Sequence, residues 1–292
     1  MKTFAYEIFT TVASQKSFRK AANELNITPS AVSHAISQLE EQLGFPLFIR
    51  NRSEMTLTQD GKTILPSAER LLNEERQLYH LASNIRGLNA GKITIGAFSS
   101  VCINWLPEII TNFSKNYPQI EIAIVQGNFA ELEHAVELGK IDIAFTTLPV
   151  SSRLEALPLL QDEILCVTRA DFKPKNSKTI TKADLLDQHF ILQKSDYDLD
   201  TKAALDYYEV TPKGINFSID DQSIIALVEA GLGLGILPQL ALRKLRGDVN
   251  IYPFDRPYYR HVGLAINPSQ LALPAVKAMK KEILDYLAKN EQ

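Results

Sequence analysis

Two sets of polar residues have types and spacing that could do chemistry. The first lies in NITPSAVSHAISQLEEQLG, residues 26–44, where Val32, Ile36, Leu39 and Leu43 recur at helical period and form one apolar stripe. Ser30, His34, Ser37 and Glu41 then fall on the opposite side. Short hydrogen-bonding side chains on the outer face of a thin helix can read base edges in a DNA groove. The second set follows apolar strand-like runs: Ser99, Ser100 and Val101; Gln126, Gly127 and Asn128; Thr146 and Thr147; and Gln193 and Ser195, with Phe217 as an apolar wall. Uncharged hydroxyl and amide groups at the carboxyl ends of parallel strands suit the binding of a small molecule better than catalysis. Ser99 and Ser100 open a helix, which predicts an anion site and an effector with a carboxylate, although serines there also serve as plain helix caps.

Other chemistry finds little support. The five histidines, His34, His80, His134, His189 and His261, have no metal spacing, and neither a nucleophile motif nor a phosphate loop accompanies them. GLGLG at 231–235 follows a helix and opens a strand, the reverse of a dinucleotide-binding turn. The expectation is therefore a protein without catalytic residues, metal or cofactor. Cys102 and Cys166 are too few for a disulfide framework, but Cys102 falls at the predicted site, so a redox-responsive regulator is an alternative. A solute-binding protein or an enzyme is the alternative from a different class. No basic-then-apolar leader and no charge-free apolar run near 18 residues is read, which predicts a cytoplasmic protein with no membrane partner.

The elements that must position these groups follow from local signals. Ser17 can cap a short helix in SFRKAANELN, and Thr28, Pro29 and Gly44 cap, open and stop the next. Two helices so joined read as a helix-turn-helix, with an ordinary three-helix packing unit as the alternative. FPLFIRNRSEMTLT predicts two short strands around a polar turn, a wing. From Gln59 to about Leu88, Ile64, Ala68, Leu71, Leu78, Ala82 and Ile85 form a heptad seam interrupted by Glu75. That seam predicts a dimerising linker helix, or else a helix lying on a neighbouring domain. Beyond it, KITIGAF, IEIAIVQ and IDIAFTT alternate with helical stretches as βαβ units. ILCVTRA, HFILQK, INFSID and GILP form a second group, before a strand in HVGLAIN and a final amphipathic helix. The predicted organisation is a winged helix-turn-helix over 1–58, a linker helix over 59–90 and an α/β two-lobe effector domain over 91–292. Its first lobe takes about 91–162 and 267–292, and its second about 163–266.

Net charge is −3 over 292 residues, and residues 1–58 carry six Lys or Arg against five Asp or Glu. Placement matters more than the sum. Lys16, Arg19 and Lys20 surround the start of the first motif helix, and Arg50 and Arg52 flank Asn51 in the wing, where phosphate contacts are useful. So little charge predicts a weak single DNA-binding unit that relies on dimerisation.

Residues 17–61 carry, in order, Ala-Ala-x-x-Leu, Ser-Ala-Val-Ser, Ile-x-x-Leu-Glu-x-x-Leu-Gly, Pro-Leu-Phe and Leu-Thr-x-x-Gly. This order resembles the N-terminal signature of LysR-type transcriptional regulators, and DDQSIIALVEAGLGLGILPQ is similar to the family's helix and glycine turn in the second lobe. The resemblance implies a winged helix-turn-helix dimer, usually assembled as a tetramer. Such a protein binds promoter DNA, with RNA polymerase as a further partner, and a small-molecule co-inducer in a lobe crevice like that of periplasmic binding proteins changes the DNA bend. It also implies base and phosphate contacts from Arg19, Ser30, Ser33, His34 and Ser37, with Arg50 and Arg52 on the backbone. Pro29 stands where many members carry Gln, and His34 where Arg is frequent.

Overall fold

Local chemistry sets the limits of the first helices, α1 (Lys2–Gln15), α2 (Phe18–Glu24) and α3 (Pro29–Leu43). The Ser17 hydroxyl accepts from Lys20 N at 3.4 Å, and the Thr28 hydroxyl accepts from Ala31 N at 3.2 Å. Gly44 ends α3 at φ +84°, in the left-handed region that glycine enters without penalty. The turn between α2 and α3 passes through Asn26 at φ +54°, and Ile27 N donates to Ala22 O across it. These are the local devices expected from the sequence. The computed structural model describes residues 2–50, 55–85, 91–193, 199–210, 213–217, 221–244 and 246–290.

The chain forms two compact units, essentially Met1–Gly87 and the remainder. In the first, Ile8, Phe9, Val12, Ala21, Ala22, Val32, Ile36 and Leu39 build one core with Leu47 and Phe48. Strands β1 (Phe48–Arg50) and β2 (Met55–Leu57) pair antiparallel as the wing. Thr58 then begins α4 (Gln59–Ile85), its hydroxyl accepting from Gly61 N at 2.9 Å and donating to Pro46 O at 2.8 Å. Ala68 of the expected seam is buried in this core, with Ile64 packed beside it. The start of α4 is thus part of the helix-turn-helix unit. Only beyond it does the seam open, with Leu71 and Leu78 exposed.

The second unit begins with β3 (Gly91–Ala97), α5 (Ser99–Asn104), α6 (Leu106–Asn116), β4 (Ile120–Gln126), α7 (Phe129–Glu137) and β5 (Ile143–Thr147). β6 (Glu155–Arg169) leads to α8 (Lys182–Leu185), β7 (His189–Gln193), α9 (Leu199–Tyr207), β8 (Lys213–Phe217) and α10 (Asp221–Glu229). The remaining elements are β9 (Leu234–Pro238), α11 (Gln239–Leu242), β10 (Val249–Pro253), β11 (Tyr259–Ile266) and α12 (Pro274–Asn290). The first sheet runs β4-β3-β5-β11-β6, with β3 parallel to β4 and β5 but β11 antiparallel to both its neighbours. The second contains β10, β6, β9, β7 and β8.

Three features differ from the sequence reading. The lobes are not purely parallel, because β11 runs antiparallel to β5 and β6 in the first sheet and β6 runs antiparallel to β9 and β10 in the second. β11 belongs to the first lobe, although the boundary read at 163–266 put it in the second. Val262, Leu264 and Ile266 are buried in the first lobe's core with Ile95, Phe145 and Met279 of α12. The strand read at ILCVTRA is only the second half of β6. Its first half contains Pro158, which breaks a strand pattern but sits opposite Gly263 where the β11 register shifts, a position that needs no ladder donor.

Candidate functional site

On α3 the packed stripe leaves Ser30, His34 and Ser37 exposed and Ser33 half-buried, and Arg19 is exposed in the first turn of α2. Ser30 and Thr28 hydroxyls lie 3.0 Å apart. This face therefore carries small donors and acceptors over about two turns, the dimensions of a major-groove reader. Arg50 forms the last β1 pair, with Met55, while its side chain and all of Arg52 lie outside the described residues. A residue that the sequence reading did not single out fixes the wing to the reading helix. The Glu40 carboxylate accepts from Leu47 N at 2.7 Å and Phe48 N at 3.2 Å. Its place within the Leu-Glu signature was the only available signal.

Of the predicted effector residues, Ser99, Gln126 and Thr147 lie at one edge of the first lobe. β4, β3 and β5 lie side by side with the same direction, so Gln126, Ala97-Phe98-Ser99 and Thr147 come at adjacent strand ends. Gln126 is exposed, and Ser99 and Thr147 are half-buried. Ser99 and Ser100 are not caps. Phe98 occupies the cap position with no side-chain hydrogen bond, and its carbonyl takes Val101 N and Cys102 N. Asn128, by contrast, accepts from Glu131 N at 2.8 Å and holds the start of α7. Val101 is buried in the core, and Thr146 is fully buried on the strand face shared with Ala144. Gln193 and Phe217 end the paired strands β7 and β8, their side chains outside the described residues, as is all of Ser195.

Ser100 has an internal partner that the sequence reading missed. The Arg260 Nη2 donates to the Ser100 hydroxyl at 3.0 Å and to Asp162 Oδ2 at 2.7 Å, while its Nε reaches the same carboxylate oxygen at 2.9 Å. All three residues are buried. Arg260 also lies over the Phe98 ring, 4.9 Å from its centroid. A serine oxygen that accepts from a guanidinium is free to aim its own proton elsewhere, and the charge makes it a stronger donor. Asp162 and Arg260 each flank an apolar run in the sequence, but only the antiparallel register of β6 and β11 makes them partners.

The two thiols are poorly suited to redox chemistry. Burial pushes Cys102 up, and Cys166, enclosed in the second lobe's core, is pushed up further by burial and by Asp184. Both therefore stay protonated near neutral pH, and the thiolate is the reactive species.

Residues 5–62 match the family described as bacterial regulatory helix-turn-helix protein, lysR family, and residues 86–288 match the LysR substrate binding domain. The chain belongs to the LysR family. It is a DNA-binding transcriptional regulator with an effector-binding domain. Among similar LysR-type relatives, the probable regulator LrrA of Synechococcus elongatus is 29% identical over 93% of this chain and 92% of its own length. The uncharacterized regulator YvbU of Bacillus subtilis is 30% identical over 95% of this chain and 97% of its own. The fold is shared with a full-length single-residue variant of OxyR from Pseudomonas aeruginosa, at TM-score 0.73 and 22% identity, covering 98% of this chain and 94% of that one. It is shared too with the LysR-family regulator CbnR in complex with its target DNA, at TM-score 0.68 and 18% identity, covering 98% of this chain and all of that one.

Proposed function

We propose that this LysR-family regulator binds double-stranded promoter DNA in the cytoplasm as a homodimer or homotetramer. Ser30, Ser33, His34 and Ser37 enter the major groove, and Arg19, Arg50 and Arg52 hold phosphates. A small carboxylic acid acts as co-inducer at the strand ends of the effector domain, and the resulting change is passed to RNA polymerase. The observation that carries the effector reading is the convergence of Ser99, Gln126 and Thr147 on adjacent strand ends beside an α5 start whose cap side chain bonds nothing. These groups donate to an anion without a competing free carboxylate among them. Arg260 is charge-balanced by Asp162, which suits a ligand with one carboxylate rather than a polyanion.

Support for the dimer comes from Leu71 and Leu78, large apolar side chains left exposed along α4. Among the described residues no helix is long and apolar enough to cross a membrane, in keeping with a protein that works on DNA.

Thermal unfolding of the full chain against small carboxylic acids tests the effector class. An acid at 100 times its dissociation constant adds roughly 2.7 kcal/mol to the stability of the domain it binds. A shift lost in Ser99→Ala supports the reading, whereas a shift produced only by uncharged metabolites overturns it. Gel shifts with DNA upstream of the gene test the regulator reading, which predicts specific complexes that weaken on His34→Ala.

A further inference from the structure

Leu240, in α11 of the second lobe, is held on three sides by groups of the first lobe and the strand crossing. Its side chain is fully buried in the first lobe's core. Its N–H donates to Asp162 Oδ1 at 2.8 Å, and its carbonyl accepts from Asn104 Nδ2 at 2.8 Å. The same Asn104 amide donates to Ser100 O at 2.9 Å. One residue of the second lobe is thus seated by its side chain, its amide and its carbonyl together.

Asp162 divides its carboxylate between two duties. Oδ1 holds the Leu240 amide, while Oδ2 takes both donors of Arg260, whose Nη2 also reaches Ser100. Arg260 and Asp162 are 4% and 2% exposed, so neither charge is shielded by water and each depends on the other. A guanidinium carries five donors in a rigid fork and so can be shared between acceptors. Another anion brought to Ser99 and Ser100 competes with Asp162 for it.

We propose that Arg260 couples the effector site to the lobe junction: its two donors on Oδ2 fix the orientation in which Asp162 presents Oδ1 to the Leu240 amide, and a carboxylate at Ser99 and Ser100 that draws Arg260 away frees the Asp162 side chain to turn Oδ1 off that amide. α11 then shifts against α5, and the second lobe moves with it. This rests on the reading of the effector as a carboxylate, but the seating of Leu240 by the Arg260–Asp162 pair is separable from it. Arg260 is in this sense a positioning residue.

Hydrogen exchange of the full chain, resolved to residues 239–242 and to the β3 amides as an internal reference, separates the two. In Arg260→Met, exchange at 239–242 rises at least tenfold while β3 changes less than twofold. Exchange at 239–242 within twofold of the parent, or an equal rise in β3, overturns the coupling. A second variant, Asp162→Asn with Arg260→Met, leaves no buried charge and regains thermal stability relative to Arg260→Met. Acetate, lactate and succinate at millimolar concentration serve as probes. Faster exchange at 239–242 in the parent but not in the double variant supports the proposal, and the same response in both overturns it. Silence of all three acids in the parent, with the Arg260→Met effect present, rejects the carboxylate and retains the seating of Leu240.

Discussion

Asp184 illustrates how single polar residues are settled in this chain. Burial pushes its carboxyl up, but hydrogen bonds from the Thr181 hydroxyl, Lys175 N and Thr181 N together outweigh burial and hold it below the usual carboxylate range. A carboxyl depressed in the folded state adds stability above its unfolded value, near 3.9, and loses it as pH falls through the folded value. Asp184→Asn therefore lowers the melting temperature at pH 7, and the gap to the parent closes below about pH 4, as a pH series of thermal unfolding checks. At this scale the sequence is legible where a residue acts on its own neighbours, as Ser17, Thr28 and Gly44 do. It is silent where the partner is remote. Ser100 was visible as a polar group at a strand end, whereas Arg260, 160 positions away, becomes its partner only through the sheet.

Among elements, the junction of wing and α4 shows what a short motif encodes. In Leu-Thr-x-x-Gly, Thr58 ties the helix start to the Pro46 and Leu47 carbonyls, and a Cβ on Gly61 would stand 2.3 Å from Leu47 O. The glycine is there to let the helix approach a backbone carbonyl. Gly61→Ala must push α4 from the wing, at a cost of about 1–3 kcal/mol, read by denaturant unfolding, with weaker operator binding in gel shifts. The helices and the parallel strands were readable because each carries its own periodicity. The first half of β6 was not, since Pro158 reads as a strand breaker until its place beside the β11 irregularity is known. β10, an edge strand with Ile251 exposed and Pro253 at its end, gave too short a pattern to read.

For the molecule as a whole, the balance of charge and apolar surface governs assembly. The chain carries −3 net charge, so one helix-turn-helix adds little nonspecific attraction to DNA, and in the proposed dimer pairing two would supply the affinity by effective concentration. Leu78 is 65% exposed and Tyr79 67%, surface that a second copy can cover. Leu78→Glu places like charges face to face in such a pair. The expected result is a lower mass in sedimentation at micromolar concentration and loss of tight operator binding, with thermal stability of the effector domain unchanged. The two-lobe plan was legible from the two groups of strands, but the lobe boundary was not. It depends on β11 returning to the first sheet after the second is complete, which no local pattern announces.

β6 is one unbroken strand of 15 residues that serves in both sheets. Its first part is laced to β11 and its last to β9 and β10. A strand paired with β11 up to Glu163 and with β9 from Ile164 has no unpaired stretch in which to fold like a door hinge without breaking ladder bonds, but it can twist. In the proposed sensor β6 would act as a torsion bar: a bound ligand would change the angle between two plates, and the hydrogen-bonded strand would supply the restoring torque once the ligand leaves.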